Sequence, residues 1–458
     1  MLRTWQSACL DLALNKFTSG QSHFLCLATP GAGKTIMAAE VAVTLKEQGR
    51  IDLVLCFSPS LTVAESIEST FSWRLNSSFN GGIGSVGGSY TYQNMLYMSD
   101  EFWTVLKRFR VLVVFDEIHH CSGNSALDAN AWGMEILTKI QDHATYTLAL
   151  TGTPWRSDSL PISLARYSNP EGEIQCDFVY GLSEAVRDGV CRSPKIVLVD
   201  NDNLKVTSDI DGSKSFNSIQ ELLMNESIPY STIITNRDAM LYLLKQGCDK
   251  LSEIRKINRS AGGLVVASSV EHAREVLSLL QDEFNQSVVI VTYRHDDPIG
   301  EIARFRTSDV QWIVSVGMVS EGTDIPRLQV CCHLSHVKTE LYFRQVLGRI
   351  LRVSSAVNQD AWLYTIAERK LICFAERIAE DLPGENAVTL LIRDEELALK
   401  ADESEGAEHG TSNSSSVDGN VTELEWGLGM DGSLVAEQNG LLTLGTFKQR
   451  LVSAFLCG

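Results

Sequence analysis

Short apolar runs, each closed by a turn or a polar group, alternate with longer segments of helical character through most of the chain. HFLCLATP (23–30), DLVLCFSP (52–59), RVLVVFDE (110–117) and YTLALTGT (146–153) form a first series. Their near-continuous apolarity is that of strands buried on both faces, and TIMAAEVAVTLKEQG (35–49) is a helix between two of them. A parallel, doubly wound sheet follows from this alternation, with its functional groups at the carboxyl ends of the strands. A second series comprises GGLVVASS (262–269), SVVIVTY (287–293), VQWIVSVG (310–317) and VCCHLSH (330–336), with VEHAREVLSLLQDEF (270–284) as an intervening helix. The α/β pattern therefore occurs twice, as 458 residues would suggest for a chain too long for one core.

These patterns divide the chain into a first domain at 1–199, a connecting insertion at 200–228 and a second domain at 229–394. After residue 395 the character changes. HGTSNSSSVDGN (409–420) and its acidic flanks predict a solvated linker over 395–425. LLTLGTFKQRLVSAFL (441–456), within a last segment at 426–458, has apolar residues at helical spacing. Such a helix would dock on the body of the protein or recruit a protein partner.

The turn after the first strand carries the candidate chemistry. Residues 28–35 read Ala-Thr-Pro-Gly-Ala-Gly-Lys-Thr, a Walker A loop in the strand–loop–helix context the motif requires. Gly31 and Gly33 let backbone N–H groups curl around phosphates. Lys34 would hold the β- and γ-phosphates of ATP, and the Thr35 hydroxyl would ligate Mg2+. At the end of VLVVF stand Asp116, to hold the Mg2+ shell, and Glu117, to polarise an attacking water as general base. Metal binding by His119 and His120 is the rival reading, but adjacent side chains diverge.

Composition limits the setting. No run approaches ~18 uninterrupted apolar residues, so no membrane-crossing helix is expected. Asp11 and Lys16 interrupt the opening apolar stretch, which lacks the layout of an export signal. The 11 cysteines are odd in number and form no CxxC pair, which suits free core thiols in a reducing cytoplasmic compartment. A net charge of −18 sits awkwardly with phosphate binding, but acidic residues concentrate between 394 and 425. A strand held in a cleft needs only local positive charge.

Together these elements resemble the superfamily 2 helicases, particularly DEAH-like DNA translocases and restriction motors, over about residues 3–352. The resemblance implies two RecA-like domains in tandem, ATP hydrolysis, and movement on nucleic acid with DNA favoured over RNA. It assigns Gln6 of Arg3-Thr-Trp-Gln6 to the adenine edge, and Gly322 and Asp324 of Ser320-Glu-Gly-Thr-Asp-Ile-Pro326 to the nucleotide. Ser58, Ser60, Thr91, Ser268 and Thr323 become backbone contacts to nucleic acid. His119, Thr151 and Thr153 become the residues coupling hydrolysis to domain movement. Gln345-Val-Leu-Gly348-Arg349-Ile-Leu-Arg352 matches Q-x-x-G-R-x-x-R, and helical spacing puts Gln345, Arg349 and Arg352 on one face. Arg349 and Arg352 are then arginine fingers. Alternatives stay open: an RNA helicase, or an ATP-controlled clamp with little turnover. Strand separation needs a wedge, and none is identifiable.

Overall fold

The computed structural model describes residues 2–123, 125, 129–153, 160–169, 172–208, 212–226, 228–292, 297–317, 325–353, 360–381, 388–393 and 441–453. The first domain opens with helix α1 (Thr4–Thr18) and strand β1 (His23–Ala28), followed by α2 (Lys34–Glu47), β2 (Leu53–Ser58) and α3 (Leu61–Leu75). Strands β3 (Gly87–Thr91), β4 (Val111–Phe115), β5 (Tyr146–Thr151) and β6 (Phe178–Tyr180) complete a six-stranded sheet. Its order is β3-β2-β4-β5-β1-β6, and every pairing is parallel. All five residues of β4 are buried, as the apolar run required of a strand covered on both faces. Trp5 of α1 stacks on Tyr180 of β6 at 4.8 Å, which pins α1 to the sheet edge beside the phosphate loop.

The second domain begins with β7 (Ser193–Asp202) and continues through α4 (Arg237–Arg255), β8 (Gly262–Ala267), α5 (Val270–Asp282), β9 (Val288–Val291) and β10 (Trp312–Ser315). It closes with β11 (Leu328–Leu334), α6 (Glu340–Ile350), β12 (Asp360–Ile366), α7 (Arg369–Glu380), β13 (Val388–Arg393) and β14 (Thr446–Ser453). The eight-stranded order is β9-β10-β8-β11-β12-β7-β14-β13. The first six strands run parallel, while β14 adds antiparallel to β7 and β13 antiparallel to β14. Trp312 is fully buried at the centre, and two glycines admit its indole. A Cβ on Gly263 would lie 2.4 Å from the ring, and one on Gly247 3.1 Å from it.

Two sequence expectations change here. The chain enters the second sheet at Ser193, so residues 193–199 pair with β12 and leave the first domain. The last segment is extended, not helical: β14 inserts between β7 and β13, and Leu441–Thr443 joins a small antiparallel sheet with Leu204–Ser208 and Gly212–Phe216. The connecting insertion is thus part of the second domain's flank. Residues 394–440, which include the acidic linker, lie outside the described residues. The described cysteines are all free thiols, and Cys373 alone among them is exposed. Among the described residues no helix is long and apolar enough to cross a membrane.

Candidate nucleotide site between the domains

The phosphate loop turns directly from β1 into α2 through two glycines with left-handed backbone, Gly31 at φ +84° and Gly33 at φ +94°. A side chain is strained in that region. At Gly33 it would also collide with Gln6, whose Nε2 would lie 2.9 Å from the new Cβ. Gln6 Nε2 donates to Gly33 O at 2.9 Å, and Arg3 Nη1 donates to Ala32 O at 2.7 Å. Gln6 Oε1 in turn accepts from Arg3 N at 2.8 Å, so the R-x-x-Q element clamps the loop's carbonyls from α1. The sequence pointed to Gln6; Arg3's direct grip on the loop was missed, although the same motif contains it.

Lys34 is buried, with Nζ 3.0 Å from Glu117 Oε1 and donating to Ala28 O at 3.2 Å. Glu117 has φ +51°, an uncommon backbone for a residue with a side chain, and it ends β4 on a tight turn. Its Oε2 accepts from Gly152 N at 3.0 Å. Burial alone would raise its pKa, but Lys34, His119 and the Gly152 amide outweigh burial and hold the carboxyl down at about 2. These groups favour the anionic form of Glu117.

Asp116 is pushed the other way, to about 7, by burial and by the adjacent Glu117 charge. Its Oδ1 is buried without a hydrogen-bond partner. A buried carboxylate oxygen of this kind could hold a cation, and the Thr35 hydroxyl in the first turn of α2 could be a further ligand. Among the described residues no group of three or more His, Cys, Asp or Glu could hold a metal. Tyr92, buried, donates from its hydroxyl to Asp116 O at 2.7 Å and steadies the strand end. No sequence signal marked that role.

The end of β5 joins the same network. His119 Nδ1 is 3.0 Å from Thr151 Oγ1, 3.3 Å from Thr153 Oγ1 and 3.4 Å from Glu117 Oε2. Thr151 Oγ1 also donates to Thr153 O at 2.6 Å. The three residues proposed to couple hydrolysis to movement are thus in contact with one another and with the candidate base. Gly152 stands where a Cβ would press on Pro30 Cγ at 3.1 Å and Lys34 Nζ at 3.2 Å, so glycine suits this close approach.

The second domain reaches the phosphate loop through α6 and the residues after it. A Cβ on Gly348 would sit 2.7 Å from Pro30 Cβ, and one on Gly31 3.1 Å from Arg352 Cγ. Gln345 and Arg349 lie on α6, half-buried. Arg352 does not share their helical face, because α6 ends at Ile350; Arg352 instead forms an antiparallel bridge with Cys191. Gly322, Thr323 and Asp324, and Pro154-Trp155-Arg156, lie outside the described residues. A cavity of about 290 Å³ opens beside the loop, lined by Pro30 and Gly152 on one side and Arg344, Leu347 and Ile378 on the other. Lys34, Asp116 and Glu117 do not line it; Lys34 and Glu117 close on each other.

The candidate nucleic-acid contacts sit at strand ends next to helix starts. Ser58 and Thr91 are directly paired across β2 and β3. Ser60 caps α3 by accepting from Val63 N at 3.4 Å, and Thr91 caps the short helix Tyr92–Met95. Ser268 follows β8, with its hydroxyl 2.7 Å from His272 Nδ1. Hydroxyls and free amides at such termini favour phosphate.

Residues 1–156 match the family described as Type III restriction enzyme, res subunit (ResIII). The match covers about a third of the chain. Uncharacterized proteins of Mycobacterium leprae and Mycobacterium tuberculosis are 32% identical to it over 368 and 367 residues, covering 77% of this chain. The chain spans 59% of the length of these curated relatives. Among solved structures, it resembles a fragment described as an HsdR subunit of a type I restriction enzyme from Vibrio vulnificus. The TM-score is 0.53 at 17% identity, over 81% of this chain and 65% of that one. A single-residue variant of S. cerevisiae Dbp5 bound to RNA and ADP BeF3 gives 0.51 at 12% identity, over 82% and 86% of the two chains. The ATP-dependent Type ISP restriction-modification enzyme LlaBIII bound to DNA gives 0.50 at 13%, over 80% and 28%. These likenesses show the fold: two RecA-like α/β domains in tandem.

Proposed function

We propose that the chain is an ATP-driven motor of superfamily 2 that moves on nucleic acid, DNA in preference to RNA. The observation that carries this reading is the meeting of Arg352 from one domain with the Gly31 loop of the other. A nucleotide bound at that seam touches both domains, so its binding and hydrolysis change the balance between closed and open arrangements. Switching the grip of Ser58, Ser60 and Thr91 against that of Ser268 then moves a strand.

The chain's own residues supply the steps. Lys34 leaves Glu117 for the β- and γ-phosphates, which frees the Glu117 carboxylate to orient and deprotonate water. Arg352, with Arg349, meets the charge that develops on the transferring phosphoryl group. Mg2+, held by Asp116 and Thr35, would neutralise phosphate charge when bound. Departure of the Glu117 proton or product is sensed by His119, Thr151 and Thr153 through the hydrogen bonds at the ends of β4 and β5.

Steady-state ATP hydrolysis with no polymer, single-stranded DNA, duplex DNA or RNA tests this reading. Strong stimulation by DNA, abolished in Lys34→Ala, is expected. Stimulation by RNA alone would replace the track, and turnover indifferent to every polymer would favour an ATP-controlled clamp.

A further inference from the structure

The two residues that join the domains, Cys191 and Arg192, sit between the phosphate loop and the segment that bears Arg352. Cys191 Sγ lies 3.6 Å from Pro30 O, and its backbone bridges Arg352. Arg192 N donates to Leu351 O at 2.7 Å. The Arg192 side chain is fully buried, and its guanidinium reaches three carbonyls on different elements. Nη1 donates to Leu328 O at 2.8 Å and to Ile350 O at 3.1 Å, and Nη2 to Pro326 O at 3.1 Å. These carbonyls belong to the start of β11, the end of α6 and the residue closing the Ser320–Pro326 motif. A planar fork of donors can hold three divergent carbonyls; a lysine ammonium cannot reproduce that geometry.

We infer that Arg192 is a positioning residue for hydrolysis: it fixes the end of α6 so that Arg352 lies on the phosphate loop. The inference rests on the motor reading above, in which Arg352 acts on the phosphoryl group. Arg192 touches neither nucleotide nor water itself. It acts on turnover by setting where Ile350, Leu351 and Arg352 stand, and by tying the Pro326 carbonyl to the same point it registers two second-domain motifs to the interdomain joint. Its loss should therefore leave nucleotide binding nearly intact while turnover falls, since a misplacement of about 1 Å can cost on the order of 100-fold in rate.

The test uses the full chain with Arg192→Met, Arg192→Lys, Arg352→Ala and the double variant Arg192→Met/Arg352→Ala. Polymer-stimulated kcat is measured beside the Kd for a fluorescent ATP analogue and a thermal melt. Arg192→Met is expected to lower kcat about 100-fold with Kd within about threefold of wild type, and Arg192→Lys to fall between the two. The double variant should turn over no more slowly than Arg352→Ala alone, because both remove one interaction. Losses that multiply in the double variant, or an unchanged kcat in Arg192→Met, overturn the inference and leave the motor reading standing. If Arg192→Met does not fold, Arg192→Lys with its own double variant decides the same question. Wild-type protein that hydrolyses no ATP with any polymer overturns the motor reading, and this inference with it.

Discussion

Glu117→Gln separates the candidate base from the binding apparatus around it. The amide keeps the carboxylate's shape, and its oxygen can still accept the Gly152 N–H that now lies 3.0 Å from Oε2. What disappears is the proton acceptor and the attraction to Lys34 Nζ at 3.0 Å. A positioned general base contributes about 10²- to 10⁴-fold in rate, which corresponds to roughly 3–5 kcal/mol of barrier. Nucleotide binding should move in the opposite direction. Lys34 no longer has to leave a carboxylate to reach phosphate; for a pair whose Glu117 side chain is 24% exposed, that competition is worth about 1 kcal/mol. The expected outcome is a kcat lower by at least about 100-fold with ATP bound about fivefold more tightly. Single-turnover hydrolysis at saturating polymer, paired with equilibrium binding of a fluorescent ATP analogue, reads both quantities. A kcat within threefold of wild type would refute the assignment of Glu117. So would weakened binding in step with lost turnover, which would mark a damaged site.

Gly348→Ala tests the seam itself. The added methyl must push α6 from Pro30, while alanine gains about 1 kcal/mol of helix propensity against an overpacking cost of about 1–3 kcal/mol, so kcat should fall at least tenfold with little change in melting temperature. Phe447 stacks on Tyr242 at 4.2 Å and is buried, so Phe447→Ala should destabilise the second domain by about 3–4 kcal/mol in urea unfolding, and an unchanged midpoint would remove β14 from the domain's core. Burial lowers His272 and His333 to about 4, against about 6.5 unfolded. The unfolded chain therefore takes up these protons first, and each histidine should cost up to about 3 kcal/mol of stability as pH falls from 6.5 towards 4; a melt that is flat over that interval would contradict their burial as neutral rings.

The parts that the sequence made legible are local. A phosphate loop is a contiguous turn between a strand and a helix, and Asp116-Glu117 ends an uninterrupted apolar strand, so pattern and chemistry coincide. Thr151 and Thr153 could be linked to His119 because parallel strands β4 and β5 bring their carboxyl ends together. The misreadings involve pairing at long range. Residues 193–199 fall within the first domain's bounds by pattern, yet their partner is β12, 167 residues further on by register (360 − 193). In β14 the buried residues are Phe447, Gln449 and Val452, and the Gln449 amide donates to the Tyr242 hydroxyl at 2.8 Å. A polar residue at one buried position and an out-of-phase Val452 left no period-two signal, and the remaining apolar residues imitated a helix. Arg352 was misplaced for a related reason: the helix ends two residues earlier, and nothing in Arg-Ile-Leu-Arg marks its end. Arg192 carried no motif at all, since its partners are backbone carbonyls.

Movement along the track is the central claim, and displacement of a roadblock tests it most directly. Streptavidin bound at the end of a biotinylated DNA, single-stranded or duplex as the ATPase panel directs, should be released in the presence of ATP. Release should stop in Lys34→Ala and Glu117→Gln. Polymer-stimulated hydrolysis without any ATP-dependent release, on either end of the strand, would contradict the motor and leave a nucleotide-controlled clamp.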